Sequence, residues 1–222
     1  MTKMFTHRHR TELNEHGFTV VENVLSASVC DERITEYQEW LAQFQDNDWP
    51  NSRHSLIVSH NAGNLEPTWK VRLATKPIFE EIWRTNKLLT SVDTVAIGRP
   101  PEGGKEDFDV EGKHWLHCDQ DAEKVGLHAY QGAVYLEAAD EDDWTFYVLK
   151  KSHKFIDEFY ACNEKASRKS VFNHFFHFCD QDLEWFIANG CEKIRVAVPK
   201  GGGWYYGILD LSMQMQGQVG TS

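Results

Sequence analysis

Apolar residues recur at helical spacing early in the chain and alternate like strands later. Gly17-Phe18-Thr19-Val20-Val21-Glu22-Asn23-Val24-Leu25 reads as a short extended element. Ser26 or Ser28 then offers an N-cap, and Asp31 and Glu32 suit a first turn. Val29, Ile34, Tyr37, Leu41 and Phe44 follow at three- to five-residue intervals, which predicts an amphipathic helix over about 28–45. Residues 46–68 are polar, are broken by Pro50, Gly63 and Pro67, and read as loop. Pro77 suits the first turn of a second helix, with Ile78, Phe79, Ile82 and Trp83 on its apolar face. Beyond Leu89 the character changes. Val92 to Ile97 is strand-like and Pro100 to Gly104 breaks it; short β-compatible runs follow at 113–119, 130–137, 145–150 and 193–198, with helical segments at 155–166 and 180–189. Helices followed by many short strands predict a mainly β fold with flanking helices, a jelly-roll or barrel rather than a βαβ sheet. One domain over 1–222 is the simplest account: a helical part at 1–90, a β core at 91–203, and a tail at 204–222 that departs from the pattern.

Length and charge narrow this picture a little. A chain of 222 residues can bury a sizeable single core. Its net charge of −11 leans away from nucleic acid, which is gripped by basic faces. The polar start, Met1 to Arg10, and the absence of any long apolar run predict a cytoplasmic protein with no membrane partner. His7-Arg8-His9-Arg10 reads as a mobile tail. Five cysteines with no C-x-x-C pair predict reduced thiols rather than a disulfide framework or zinc site.

The chemistry concentrates in His114-Trp115-Leu116-His117-Cys118-Asp119-Gln120. On a strand, residues two apart face the same side, so His117 and Asp119 would aim an imidazole and a carboxylate at one point. Iron(II) in oxygenases is held by two His and one carboxylate with positions left open, and His-x-Asp supplies two of the three. Alone the pair is a weak signal; a strand-end His and Asp bonding backbone or water is the bland alternative. His114, three residues before His117, would face away. His174 and His177 would share a helix face near an aromatic cluster, more in keeping with packing or surface than with a metal. The acidic run Asp140-Glu141-Asp142-Asp143 reads as a solvated turn.

The order of several segments resembles the phytanoyl-CoA dioxygenase-like branch of the iron(II)/2-oxoglutarate-dependent oxygenases. Gly17 to Leu25 followed by a helix looks like that family's N-terminus, and Trp115 to Gln120 like its metal strand. Gln131-Gly132-Ala133-Val134-Tyr135-Leu136 is similar to its next strand. Val148-Leu149-Lys150-Lys151-Ser152-His153-Lys154 resembles a V-L-x-G-S-H-K segment with Lys151 in place of Gly, and Val198-Pro199-Lys200-Gly201-Gly202 the turn before a late strand. The resemblance implies a double-stranded β-helix, Fe(II) held by His117 and Asp119, and 2-oxoglutarate oxidised to succinate while a substrate is hydroxylated. It places Tyr135, and Gln131 beside it, along the cosubstrate, with core packing the alternative for both. The expected partner is a small-molecule substrate; an acyl thioester or a protein side chain stays open, as does the oligomeric state. The rival readings are a non-catalytic jelly-roll binding protein and a cupin-type metal enzyme that does not use 2-oxoglutarate.

The tail departs from that family. A second metal His and an Arg for the cosubstrate's far carboxylate should follow Gly201-Gly202, yet the last His is His177 and the last Arg is Arg195. Taking the third base of each codon with the first two of the next, the junctions from Gly203 onward permit Met-Val-Leu-Trp-Asp-Ser-Arg-Leu-Ile-His-Ala-Asn-Ala-Arg-Pro-Gly-Arg. Four of these residues are forced rather than chosen: Val, Leu and both of the last two Ala. The expectation is a C-terminally truncated or frameshifted oxygenase, impaired as written, whose residues from about 213 leave a sheet edge uncovered.

Overall fold

In the computed structural model, residues 4–45, 48–50, 52–53, 56–92, 94–97, 115–143, 145–207 and 212–213 are described. Helix α1 (His7–His16) leads into strand β1 (Phe18–Val21) and helix α2 (Ala27–Leu41). Strands β2 (Ser52–Arg53) and β3 (Leu56–Ile57), helix α3 (Glu66–Trp83) and strand β4 (Val95–Ala96) follow. Next come β5 (His117–Cys118), β6 (Tyr130–Val134) and β7 (Phe146–Lys150), then α4 (Ile156–Cys162), α5 (Glu164–Asn173), β8 (Phe176–His177) and α6 (Asp180–Ala188). The chain closes with β9 (Glu192–Val196), β10 (Gly203–Gly207) and β11 (Ser212–Met213).

Two antiparallel sheets carry the architecture, one in the order β1-β10-β6 and the other β8-β5-β11-β7-β9. Their facing surfaces share one core of Tyr135, Phe146, Val148, Val196, Val198, Trp204 and Tyr206. Phe146 lies flat on Trp204, with ring centroids 4.2 Å apart and 14° between planes. β10 is buried along its whole length and works on both faces. Trp204 and Tyr206 point between the sheets, while Tyr205 packs outward with Ile78, Ile82, Val21 and Leu13 beneath the N-terminal helices. β7 alternates in the same way: Phe146 and Val148 face the other sheet, and Leu149 joins Phe159, Phe176, Phe178, Leu183 and Phe186 under the C-terminal helices. The result is helices, sheet, sheet, helices. A small third sheet, β2-β3-β4, packs beside α2 through Tyr37, Leu41, Ile57 and Ile97. No helix among the described residues is long and apolar enough to cross a membrane.

Several expectations need correction. His7 to Arg10 begins a helix rather than a free tail. The Thr6 amide donates to His9 Nδ1 at 2.9 Å, Arg8 bonds Glu12 at 2.9 Å, and Leu13 and His9 are buried. Arg10 also donates to the backbone carbonyls of Glu81 and Ile82, pinning α1 to the end of α3. α3 starts at Glu66, not Pro77: Pro67 takes the first turn and Pro77 lies inside. Its inward stripe was masked in the sequence because two of its positions are threonines. Thr68 and Thr75 are buried with Ile78 and Ile82, and their hydroxyls reach the carbonyls of Ala62 and Arg72 at 2.9 and 2.8 Å. The loop expected at 46–68 holds β2 and β3, and the helix expected at 155–166 is two helices that reach Asn173. His174 and His177 share no helix face, since His174 caps α5 at φ 61° and His177 lies on β8. The five cysteines form no disulfide with one another. Pro100 to Gly104 and His114 lie outside the described residues.

The segment after β10 also returns to the sheet. β11 runs between β5 and β7, with Ser212 opposite both His117 and Val148 and Met213 opposite Tyr147. That gap is therefore filled where the tail was expected to begin leaving it open; residues from 214 on are outside the described set.

Phe146 is fully buried against Trp204. Truncation to alanine removes the ring that spaces the sheets, and Phe146→Ala should cost about 3–5 kcal/mol. Leu89→Ala, at a fully exposed side chain, should be neutral. Urea denaturation of both variants checks this.

Candidate metal centre

Alternation on β5 sorts the site. Leu116 and Cys118 are fully buried in the core under the C-terminal helices. His117 and Asp119 therefore face the other way, into a cleft of about 570 Å³ also lined by Gln131, Tyr135, Trp204 and Tyr206. His117 is nearly buried, with the Trp115 ring tilted over it at 4.4 Å between centroids. Its Nδ1 donates to the Trp115 carbonyl at 2.8 Å, which turns Nε2 toward Asp119 Oδ1, 3.4 Å away. Asp119 Oδ2 accepts from Gln131 Nε2 at 2.9 Å, and Gln131 Oε1 accepts from the Tyr206 hydroxyl.

This arrangement sets the charges. Burial disfavours the His117 imidazolium, but the hydrogen bond and charge of Asp119, helped by the Trp115 carbonyl, outweigh it and raise the His117 pKa above 6.5. Burial likewise pushes the Asp119 carboxyl up, but its bonds to His117 and Gln131 hold it below 3.8. The pairing thus favours the imidazolium–carboxylate form of Nε2 and Oδ1. A 3.4 Å separation also matches two donors each about 2 Å from one ion, so a metal could take the proton's place. The donors fit a divalent transition metal in type and spacing, and they supply part of a coordination shell.

Of the residues singled out in the sequence, His117, Asp119 and Gln131 come together through direct bonds. Tyr135 lines the same cleft, but its hydroxyl accepts from the Phe146 amide at 3.0 Å and from Thr145 Oγ1 at 3.3 Å, and its ring is 4% exposed. His177 is the cross-strand partner of His117. Its side chain is exposed, and among the described residues no three His, Cys, Asp or Glu converge on one point. The acidic run folds as a turn in which Asp143 accepts from the Asp140 amide at 2.8 Å. Tyr206 was missed because it lies in the segment read as aberrant. The signal available was the alternation in Gly203-Trp204-Tyr205-Tyr206-Gly207, which sets Trp204 and Tyr206 on one face.

No family model matches the chain. It is 26% identical over 214 residues to Ava biosynthesis cluster protein O of Aspergillus versicolor, across 86% of this chain and 67% of that protein. In structure it matches GlcNAc Inducible Gene 2, GIG2 (DUF1479), of Candida albicans with TM-score 0.68 and 14% identity over the whole chain, which spans 62% of GIG2's length. It also matches HygX of Streptomyces hygroscopicus, solved with nickel and 2-oxoglutarate bound, with TM-score 0.56 and 13% identity over 96% of this chain and 82% of HygX. At these identities the likeness is one of fold.

The ion pair makes stability depend on pH in the metal-free protein. His117 contributes fully below pH 6.5, and its share is lost as the pH rises through the raised folded-state pKa. Asp119 contributes above pH 3.8, and its share is lost as the pH falls through the lowered value. The wild type should therefore lose stability as the pH rises above 6.5, and His117→Ala should lose less. Urea midpoints in the presence of a chelator measure the difference.

Proposed function

We propose that this chain is an iron(II)- and 2-oxoglutarate-dependent oxygenase that hydroxylates a small-molecule substrate, in the phytanoyl-CoA dioxygenase-like branch, with its two sheets forming a double-stranded β-helix. The observation that carries the reading is the His117 Nε2–Asp119 Oδ1 approach, set in a cleft between the two sheets of a fold shared with the nickel- and 2-oxoglutarate-bound HygX. Bound iron and cosubstrate would supply the oxidising chemistry, with 2-oxoglutarate ending as succinate. The chain's own residues hold and orient. His117 presents Nε2 because Nδ1 is committed to Trp115, and Asp119 presents Oδ1 because Oδ2 is committed to Gln131. Trp115 covers the imidazole and limits water, while Tyr135 and Gln131, which line the cleft, would flank the cosubstrate.

The same reading makes the chain impaired as written. On its β11 side, the residue opposite His117 is Ser212. In the alternative reading of the codons, the His of Leu-Ile-His-Ala-Asn falls at the Ser212–Met213 junction, the place along the chain where β11 meets His117. That coincidence supports a shifted frame after Gly203 as the origin of the missing ligand.

The test is Ni(II) titration by calorimetry and succinate release under Fe(II) and 2-oxoglutarate, on the chain as written, on Ser212→His and on the frame-restored chain. The written chain should bind weakly and release little succinate. Ser212→His should tighten metal binding at least about tenfold, and the restored chain should also turn over. His117→Ala should abolish binding in each. No metal binding by any form would favour the non-catalytic binding protein. Binding without succinate from the restored chain would favour a cupin-type metal enzyme of another kind.

A further inference from the structure

The structure assigns a positioning role to Tyr206: acting through Gln131, it fixes which oxygen of Asp119 is left for the metal. The inference rests on the metal reading of His117 and Asp119 and adds to it two residues on the opposite sheet.

Tyr206 and Gln131 are direct cross-strand partners on β10 and β6. The hydroxyl of Tyr206 donates to Gln131 Oε1, and Gln131 Nε2 donates to Asp119 Oδ2 at 2.9 Å. Asp119 directly follows β5 of the other sheet, so this relay bridges the two sheets at the metal pair. Its polarity follows from the donor inventory. An ionised carboxylate only accepts, so Gln131 must turn its NH₂ toward Asp119 and its carbonyl toward Tyr206, where the phenol donates. A flipped amide would set two acceptors against each other. Tyr206 is well placed to hold that state: it is 3% exposed, its ring lies 5.3 Å from Phe146 and 5.2 Å from Trp204, and β10 is paired on both sides.

The consequence concerns ligation. With Oδ2 occupied by Gln131, Asp119 offers Oδ1 alone, and Oδ1 is the oxygen that faces His117 Nε2. A metal held through Oδ1 alone would keep a position that a two-oxygen grip would occupy. Without the phenol, Gln131 is held at one end, its amide can swing, and Asp119 is free to rotate. Such outer partners typically change metal affinity about 10- to 100-fold.

The experiment compares wild type, Tyr206→Phe, Gln131→Met and the double variant in Ni(II) titrations, with His117→Ala as reference. Tyr206→Phe should weaken Ni(II) binding about tenfold, Gln131→Met by at least as much, and the second substitution should add nothing to the first. In metal-free protein each single variant should lower Tm by about 2–4 °C, again without addition in the double. The Tm series reports the relay even where Ni(II) affinity is low. Tm losses with unchanged Ni(II) affinity would reduce Tyr206 to a packing residue and overturn the proposal. Additive effects would also overturn it, because Tyr206 would then act by a route other than Gln131. Wild-type binding equal to that of His117→Ala would instead bring down the metal reading itself, and this inference with it.

Discussion

The stack of Trp204 on Phe146 sets the distance between the two sheets, and the site exists because of that distance. With the rings 4.2 Å apart, the facing surfaces close into one apolar core over most of their area. The cleft remains where the core gives way to polar side chains at β5 and β6. Burial there amplifies each charge: a half-buried Asp119 beside a nearly buried His117 interacts far more strongly than a surface pair would. The apolar stack and the polar pair are thus two consequences of one sheet-to-sheet packing.

β10 shows how much rests on a single strand. Its residues serve three purposes at once: Tyr205 seals the N-terminal helices, Trp204 spaces the sheets, and Tyr206 reaches Gln131. Close approach requires glycine nearby. At Gly132 a Cβ would come within 2.6 Å of the Tyr205 ring, and at Gly201, with φ +74°, within 2.2 Å of the Leu25 carbonyl. The Gly201 turn is further held by the Leu25 amide, which donates to the Gly201 carbonyl at 2.9 Å, tying the start of β10 to the start of α2.

The local pattern made some of this legible. The apolar spacing of Ile34, Tyr37 and Leu41 marks α2, and of the two serines offered as caps Ser26 is the one whose Oγ accepts from the Val29 amide, at 3.3 Å; the helix ends at Leu41, short of Phe44. The two-residue alternation around β5 separates Leu116 and Cys118 from His117 and Asp119, because strand geometry alone puts neighbours on opposite faces. α3 was harder, since buried threonines can substitute for apolar residues once their hydroxyls find carbonyls, and hydrophobicity does not reveal that partner.

What the sequence by itself determined is therefore periodic and local: which residues share a face, that a helix follows the Ser26–Ser28 turn, and that His117 and Asp119 project to one side. What only the tertiary structure decided is what stands opposite those faces. Gln131 and Tyr206 are 12 and 87 positions away from Asp119 in the chain, and β11 enters between β5 and β7 from beyond residue 210. Such meetings arise from long-range strand pairing and sheet packing, where the loss of chain entropy on closure is offset by burial of apolar surface from distant segments. No local pattern carries that information, because the partner that completes each contact is specified elsewhere in the chain.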